Sequence, residues 1–365
     1  MKIIKKKLKG IIIFIAALIV CVGGILAFLT ATEYKPADVE KLDIEGTAKA
    51  TCSVGDPLTI MIWNIGYGAL GDNADFFMDG GEMVKSADEE RVMLNMDSIM
   101  SQIEAVKPDI LFLQEADKDS ARSYNIDETA MLRDRLCGYE STYGINYKTP
   151  FVPYPVPPLG KIESGIMTFT NSHATSATRV QLPIPFKWPV STVNLKRCVT
   201  VTHVPLSDAA GKELGKDLVL CNLHLEAYDS GAGKIAQTKM LAELLKKERA
   251  SGNYVIAGGD FNQIFSTADK DAYPAQPDKW LPGEIEVSQF GEGWQFLMDE
   301  RTPSCRSLDQ PYKGADKDSF QYYLIDGFIV SDNIHVDELE TLDLDFRNSD
   351  HNPVVLQFTL EQELN

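Results

Sequence analysis

A long uncharged apolar stretch near the N-terminus sets the first limit on the structure of this chain. Its apolar part, Ile11–Thr30, would extend about 30 Å as an α-helix, which matches the hydrocarbon core of a bilayer. The charged residues before it are lysines, at positions 2, 5, 6, 7 and 9, and the first residue after it with a charge is Glu33. Because basic flanks stay in the cytoplasm, we expect a basic tail over 1–10, a transmembrane anchor over 11–32 and the remainder outside the cytoplasm.

Two other interpretations of this segment remain open. A cleaved signal peptide would release a secreted protein, but the apolar run is long for one and Leu29-Thr30-Ala31 is a poor cleavage site. Leu18-Ile19-Val20-Cys21 faintly resembles a lipoprotein processing site, yet the residue before the cysteine is not small. A retained anchor is therefore the prediction.

Composition and charge narrow the classes of function. The chain has 365 residues, of which 44% are hydrophobic, so it can bury a large core. Its formal net charge of −18 includes the five lysines of the tail, which leaves −23 on the rest. Such a charge repels polyanions, so long duplex nucleic acid is not a favoured partner. Six cysteines contain no C-x-x-C pair, which argues against a zinc ribbon, and they leave one or two disulfides open.

Short apolar runs with strand character alternate with amphipathic helices beyond the anchor. Residues 33–54 are polar and aperiodic, which predicts a spacer, and 55–365 shows no linker that would divide it. Helices are predicted over Glu89–Val106 and Lys234–Arg249. Strands are predicted at Leu58–Trp63, Ile110–Leu113, Ile166–Phe169, Val199–Val204, Leu218–Leu225, Tyr254–Ala257, Tyr323–Val330 and Val354–Thr359. This mixture predicts an α/β domain with two packed sheets covered by helices.

Polar residues follow several of these predicted strands directly. Asn64 ends the first strand, Glu115 follows the second, and Asp260 and Asn262 follow the strand at Tyr254–Ala257. Strand ends are rigid mounts on which polar groups converge into a site. Taken singly, Glu115 could be a surface acid, and Asp260 with Asn262 could form a self-satisfied turn. Their order along the chain favours a site.

Six motifs in sequence order resemble the endonuclease/exonuclease/phosphatase superfamily. They are W-N-I-G, L-Q-E, N-L-H-L-E, G-G-D-F-N, L-I-D-G-F-I-V and S-D-H-N-P, spread over about residues 56–360, and G-D-F-N and S-D-H are the most specific. The resemblance implies a four-layer αββα sandwich of two mixed sheets flanked by helices. It also implies a site at one edge of the paired sheets and a divalent cation, usually Mg²⁺, with Mn²⁺ as the alternative.

The resemblance also implies a metal site. Glu115 would be the main ligand, assisted by Asn64 and Asp350. Hard oxygen donors of this kind suit magnesium.

Further roles follow from the same resemblance. Asp260 would position or deprotonate the attacking water, and Asn262 would donate to the phosphate. His351 would contact the phosphate or exchange a proton, held in its tautomer by Asp326. His224 would polarise the phosphate or the leaving group.

Glu163, before Ser164-Gly165, resembles the acid that orients His224 in the family. Two proline-rich aromatic segments, residues 150–158 and 182–189, have no counterpart that identifies a subfamily. They are either rigid surface loops or a rim for an apolar substrate group or lipid.

The expected function is therefore hydrolysis of a lipid or small phosphoester at the outer face of a membrane. A surface or secreted metal-dependent nuclease is the alternative. A catalytically silent binding module would lack a metal or base residue, yet all of these positions are filled. No protein partner is inferred.

Overall fold

Two β-sheets form the centre of the structure, a computed structural model that describes residues 2–229 and 231–362. The helices are α1 Lys2–Ala31, α2 Glu89–Val106, α3 Glu128–Arg135 and α4 Ala232–Ala250. The strands are β1 Val39–Lys41, β2 Glu45–Gly46, β3 Cys52–Ser53, β4 Pro57–Asn64, β5 Ile110–Asp117, β6 Glu140–Val152, β7 Gly160–Thr170, β8 Ser176–Gln181, β9 Cys198–Ser207, β10 Glu213–His224, β11 Tyr254–Asp260, β12 Gln263–Phe265, β13 Gly283–Ile285, β14 Trp294–Leu297, β15 Cys305–Arg306, β16 Tyr322–Tyr323, β17 Asp326–Ser331, β18 Ile334–Thr341 and β19 Val354–Leu360.

Both large sheets are mixed. One has seven strands in the order β18-β19-β4-β5-β7-β6-β2. The other has eight, in the order β1-β8-β9-β10-β11-β17-β14 with β3 added on β9. β4 and β5 run parallel, as do β10 and β11, while β19 is antiparallel to β4 and β17 to β11. The predicted pair of mixed sheets is confirmed.

Successive residues of the central strands pack into different layers of the fold. In β4, Ile60 and Ile62 belong to the core between the two sheets, whereas Met61 and Trp63 belong to a core shared with α2. Successive residues of a strand point to opposite faces, so a strand buried on both sides is apolar throughout. A third core joins α4 to the outer face of the eight-stranded sheet. The predicted order of layers, αββα, is therefore confirmed.

The predicted helices and strands match the structure closely. α2 has the predicted bounds, and the Asp88 side chain accepts from the Arg91 N–H at 2.8 Å as its N-cap. The predicted strand Tyr323–Val330 is interrupted, because Leu324 and Ile325 lie between β16 and β17. All six cysteines, which lie within the described ranges, are free, so neither of the disulfides left open by the sequence forms.

The segment predicted to be a spacer, residues 33–54, adds short strands to the sheets. β1 pairs with β8, β2 with β6 and β3 with β9. Strands of two or three residues are too short to show periodicity, which is why the sequence did not reveal them. These pairings hold the segment that follows α1 against the domain.

One helix in the described part of the chain, Ile4–Ala31, is long and apolar enough to cross a membrane. Its mean hydropathy is 3.1 in the most apolar window, none of which is buried in the protein. A signal sequence shares this length and composition.

Candidate active site

Strand register brings the predicted residues to one edge of the paired sheets. Asn64, the last residue of β4, is paired with Gln114 of parallel β5, which places Glu115 beside it. In the other sheet His224 is paired with Asp260 across parallel β10 and β11, and Asp260 in turn faces Asp326 across β17. The carboxyl ends of the parallel strands therefore carry polar groups from both sheets into one place.

Asp260 is the hub of this cluster. Its Oδ2 lies 3.1 Å from Asn64 Nδ2, 3.4 Å from His224 Nε2 and 3.8 Å from His351 Nε2. Asn64 Nδ2 also donates to Glu115 Oε1 at 3.2 Å, so one amide joins carboxylates that belong to different sheets. Asp260 therefore connects the acids and histidines that the two sheets bring together.

His351 is held rigidly beside Asp326. Its Nδ1 lies 2.8 Å from Asp326 Oδ2, which is the predicted pair. Trp63 Nε1 donates to the His351 carbonyl at 2.9 Å, and the His351 N–H donates to Ser349 Oγ at 3.1 Å. Ser349 Oγ in turn donates to the Asn64 carbonyl at 2.7 Å, which ties the S-D-H loop to the end of β4.

Burial and neighbouring charges shift the ionisation of these groups in opposite directions. Burial, reinforced by the charge of Asp326, raises the pKa of Asp260 to about 7. Burial alone would lower the pKa of His351, but Asp326 outweighs it and raises that pKa well above its ordinary value. Burial lowers the pKa of His224 well below its ordinary value. Their surroundings thus favour the protonated form of His351 and the neutral form of His224, a division suited to acid–base chemistry.

The predicted metal ligands lie at the same edge. Glu115 has φ +57°, a strained backbone position for a non-glycine residue, at a register shift in β5. Burial raises the pKa of Asp350 to about 6, and the charge of Glu115 contributes to the increase. Asn64 Oδ1 accepts from the Gly66 N–H at 3.1 Å, while its Nδ2 faces the carboxylates. In this arrangement Asn64 joins the acids of the two sheets, and its part in holding a cation stays a prediction.

The buried carboxylates of this cluster fit a divalent cation. Ligand atoms of Asp260, Asp326 and His351 lie within 4.8 Å of one another, and the two aspartates supply the oxygens of this group, because an imidazole protonated beside Asp326 has no lone pair for a metal. Asp326 Oδ1 is buried with no hydrogen-bond partner among the described residues. Crowded buried carboxylates raise one another's pKa, and a divalent cation relieves that repulsion. This group differs from the predicted set of Glu115, Asn64 and Asp350, although Asn64 joins the two.

Comparison with known proteins agrees with this geometry. The sequence profile described as the Endonuclease/Exonuclease/phosphatase family matches residues 61–306. This chain belongs to that family. None of the curated proteins matches the sequence.

Solved structures share the fold of this family member at low identity. An endonuclease/exonuclease/phosphatase from Beutenbergia cavernae DSM 12333 has a TM-score of 0.56 at 18% identity, over 84% of this chain and 72% of the other. The human Nocturnin catalytic domain with bound sulfate gives 0.50 at 19%, over 87% and 96%. ANGEL2, described as a 2',3'-cyclic phosphatase, gives 0.53 at 13%, over 88% and 99%.

Two of the residues predicted from the family resemblance have other contacts. Glu163 pairs with Lys148 at 3.0 Å and is not among the residues that line the site, so the structure does not bring it to His224. Asn262, at φ +51°, donates from Nδ2 to the Leu225 carbonyl at 3.0 Å, which engages one of its two amide protons.

Buried arginines are the part of the site that the sequence did not reveal. Arg197 donates to the His224 carbonyl at 3.2 Å and lies 3.4 Å from Glu226. Arg122 pairs with Asp117 at 2.9 Å and stacks on the Tyr67 ring at 3.6 Å. Both arginines line the same cavity as the acids. Neither stands in a motif or a basic run, so no sequence signal pointed to them.

The site opens into a cavity of about 670 Å³. Its lining contains the acids, histidines and arginines described above. The same lining contains apolar and aromatic side chains, among them Phe77, Met78, Tyr154, Phe186 and Trp280. The cavity therefore combines charged groups with apolar surface.

Proposed function

We propose that this chain is a divalent-metal-dependent phosphoester hydrolase, anchored in a membrane by α1 with its catalytic domain outside the cytoplasm. The observation that carries the proposal is the convergence of Asp260, His224 and the His351–Asp326 pair with Glu115 in one cavity. Such a set can neutralise a phosphoryl group, activate a water molecule and protonate a leaving oxygen.

Each residue has a role that its surroundings allow. Glu115 and Asp350, two of the predicted ligands, would hold Mg²⁺ or Mn²⁺, which supplies charge neutralisation at the phosphoryl oxygens when bound. Asp260, whose raised pKa lets it take up a proton near pH 7, would orient and deprotonate the attacking water. His351, kept cationic by Asp326, would contact the phosphate or protonate the leaving oxygen. Neutral His224 would donate a hydrogen bond to the phosphoryl group.

The proposed substrate is a lipid or small phosphoester. The apolar side chains in the cavity lining suit an organic group, and the net charge of −18 disfavours an extended polyanion. Location at the outer membrane face is supported by the exposed apolar helix and by the lysines that precede it.

The test is hydrolysis by the full chain in detergent or nanodiscs. Excess chelator should abolish turnover, and Mg²⁺ or Mn²⁺ should restore it. Glu115→Gln should lower kcat/KM by several orders of magnitude, because a lost ligand charge removes several kcal/mol of transition-state stabilisation. Glu243→Gln, on the exposed face of α4, is the matched control. Full activity in excess chelator would contradict the metal mechanism.

A substrate panel separates the candidate activities. It should contain a phospholipid, sphingomyelin, inositol phosphates, a 2',3'-cyclic phosphate, RNA and plasmid DNA. The proposal expects greater kcat/KM on a lipid or small phosphoester than on duplex DNA at physiological salt. Rapid cleavage of plasmid DNA with no lipid or small-phosphoester turnover would identify a surface nuclease instead.

A further inference from the structure

The C-terminal end of α1 is packed against the catalytic domain. Leu29 is buried, and Trp188 Nε1 donates to Thr30 Oγ1 at 3.0 Å. Just beyond the helix, Lys196 Nζ donates to Glu33 Oε1 at 3.0 Å. These contacts fix the direction in which α1 leaves the domain. α1 is therefore a rigid mount for the domain and not a flexible tether.

Two loops beside this end of α1 expose apolar side chains. Val156 is 93% exposed and Trp188 is 61% exposed. Tyr154, Ile184 and Val190 are also exposed. We call these five residues the docking face. Isolated exposed apolar residues are common, but a group of them next to an apolar helix end indicates a contact surface.

A hydrogen bond joins the elements that carry the two loops. The Tyr147 hydroxyl donates to the Val193 carbonyl at 2.8 Å. Tyr147 lies on β6, which leads into the loop of Val156, and Val193 ends the segment that carries Trp188 and Val190. Strand β6 is therefore bonded to the segment that carries Trp188.

The depth of α1 in a bilayer places the docking face at the membrane surface. Ile11–Thr30 spans about 30 Å, so Thr30 lies at the boundary of the hydrocarbon core when α1 crosses the membrane. Trp188 is bonded to Thr30 and must lie at the same depth. Tryptophan is enriched at this boundary, where its apolar ring and polar N–H are both satisfied.

Paired charges lie at the level expected for lipid headgroups. Lys148 and Lys161 line a small cavity together with Thr32 and Tyr34, which follow α1. Lys148 Nζ lies 3.0 Å from Glu163 Oε2, and Lys161 pairs with Asp119. The apolar side chains, and not these lysines, therefore form the contact expected with the membrane.

The docking face also adjoins the mouth of the catalytic cavity. Tyr154 belongs to both, and Phe186 of the cavity lining lies between Ile184 and Trp188 in the chain. We propose that the docking face rests on the bilayer that α1 spans, so that the catalytic cavity opens at the lipid surface and takes phosphoesters presented there. This inference rests on the proposed anchoring and hydrolase function.

A fluorescence experiment tests the position of the docking face directly. The full chain carrying Cys21→Ser and Cys137→Ser, which removes the exposed thiols, is given Val156→Cys and an environment-sensitive label, then reconstituted in phosphatidylcholine–phosphatidylglycerol nanodiscs. The control is Ala210→Cys, in the turn joining β9 and β10 at the edge away from the site. The label at 156 should be blue-shifted and quenched by shallow spin-labelled lipid, and that at 210 should be unaffected.

Two outcomes would overturn the docking proposal. In one, the label at 156 is as hydrated and as weakly quenched as the label at 210. In the other, its burial depends on the number of chains in each disc and is absent with one chain per disc. The second result would assign the docking face to contact between copies of the protein.

An activity experiment separates docking from hydrolysis. Val156→Asp combined with Trp188→Asp should lower kcat/KM at least tenfold on a phosphoester presented in vesicles, with little change on a soluble chromogenic phosphodiester. Trp188→Phe, which keeps the aromatic ring, should retain vesicle activity. Equal rates of the charged variant and the unaltered chain on vesicles would refute docking. Absence of turnover on both substrates by the unaltered chain would refute the hydrolase proposal, while the fluorescence result would still decide docking.

Discussion

Replacing Asp326 by asparagine isolates the effect of one buried charge on His351. Asparagine has nearly the same shape, and its Oδ1 can still accept from His351 Nδ1, where the two side chains now lie 2.8 Å apart. A hydrogen bond to a charged group contributes roughly 1.5–3 kcal/mol, and one between neutral groups roughly 0.5–1.5 kcal/mol. The retained bond is therefore weaker by roughly 1–1.5 kcal/mol, which corresponds to a loss of roughly 5- to 13-fold in kcat if the transition state uses this bond.

The pH dependence distinguishes this cause from general damage. Asp326 raises the pKa of His351, so its loss should lower that pKa. The protonated imidazole is the form assigned to the phosphate, so activity is lost as His351 deprotonates with rising pH. In Asp326→Asn this loss should begin at a lower pH than in the unaltered chain. The alkaline limb of the kcat profile should therefore move to lower pH.

The assay is a kcat–pH profile at saturating Mg²⁺ and substrate, with thermal unfolding measured in parallel. Asp332→Asn, which breaks an exposed pair with Arg249 just after β17, is the control and should change little. An unaltered alkaline limb in Asp326→Asn, or a kcat within twofold of the original, would refute the role assigned to Asp326.

Three further predictions test other parts of the site. Asp260→Asn and His351→Ala should each lower kcat by about 10²- to 10⁴-fold, and the double variant should be only slightly less active than the more impaired of the two single variants. Losses that multiply in the double variant would show that the two residues act independently. Burial raises the pKa of Asp79 from 3.8 to about 7, so the folded state loses stability as pH rises through that interval and the buried carboxyl ionises. Asp79→Asn should therefore raise Tm in chelator at pH 8 but not at pH 4. An equal gain in Tm at both pH values would contradict this. Glu163→Gln should change kcat less than threefold, and a hundredfold loss would restore its predicted role in orienting His224.

Elements buried on both faces were predictable from the sequence, since their apolar runs depend only on burial. β4, β10 and β19 carry such runs, and α2 carries an apolar stripe with an N-cap before it. β6, although thirteen residues long, was not predicted, because buried and partly buried positions mix polar and apolar residues along it. Long-range pairing creates such strands, and local sequence does not record it.

The site likewise has features that the sequence predicts and features that it does not. The positions of Asp260, Glu115 and His351 follow from motifs at the ends of recognisable strands. The orientation of Asn64 does not, because it depends on whether its oxygen bonds the Gly66 N–H or faces the cavity. The contacts of Glu163 depend on β6 and β7, whose register contains shifts that no local pattern announces. Side-chain direction therefore has to be read from the tertiary structure.

An acidic protein that hydrolyses phosphoesters must offset its own repulsion of the substrate. This chain places Arg122 and Arg197 inside the cavity, where low dielectric strengthens their attraction for an anion, and leaves the surface acidic. A compact phosphate meets these cations at one point, whereas an extended polyanion also meets the acidic surface around the mouth. Raising ionic strength should screen that surface more than the cavity, so it should improve duplex DNA relative to a small phosphoester as substrate. We therefore expect the acidic exterior to select against extended polyanions, and Arg122 and Arg197 to contribute to binding of a compact phosphate.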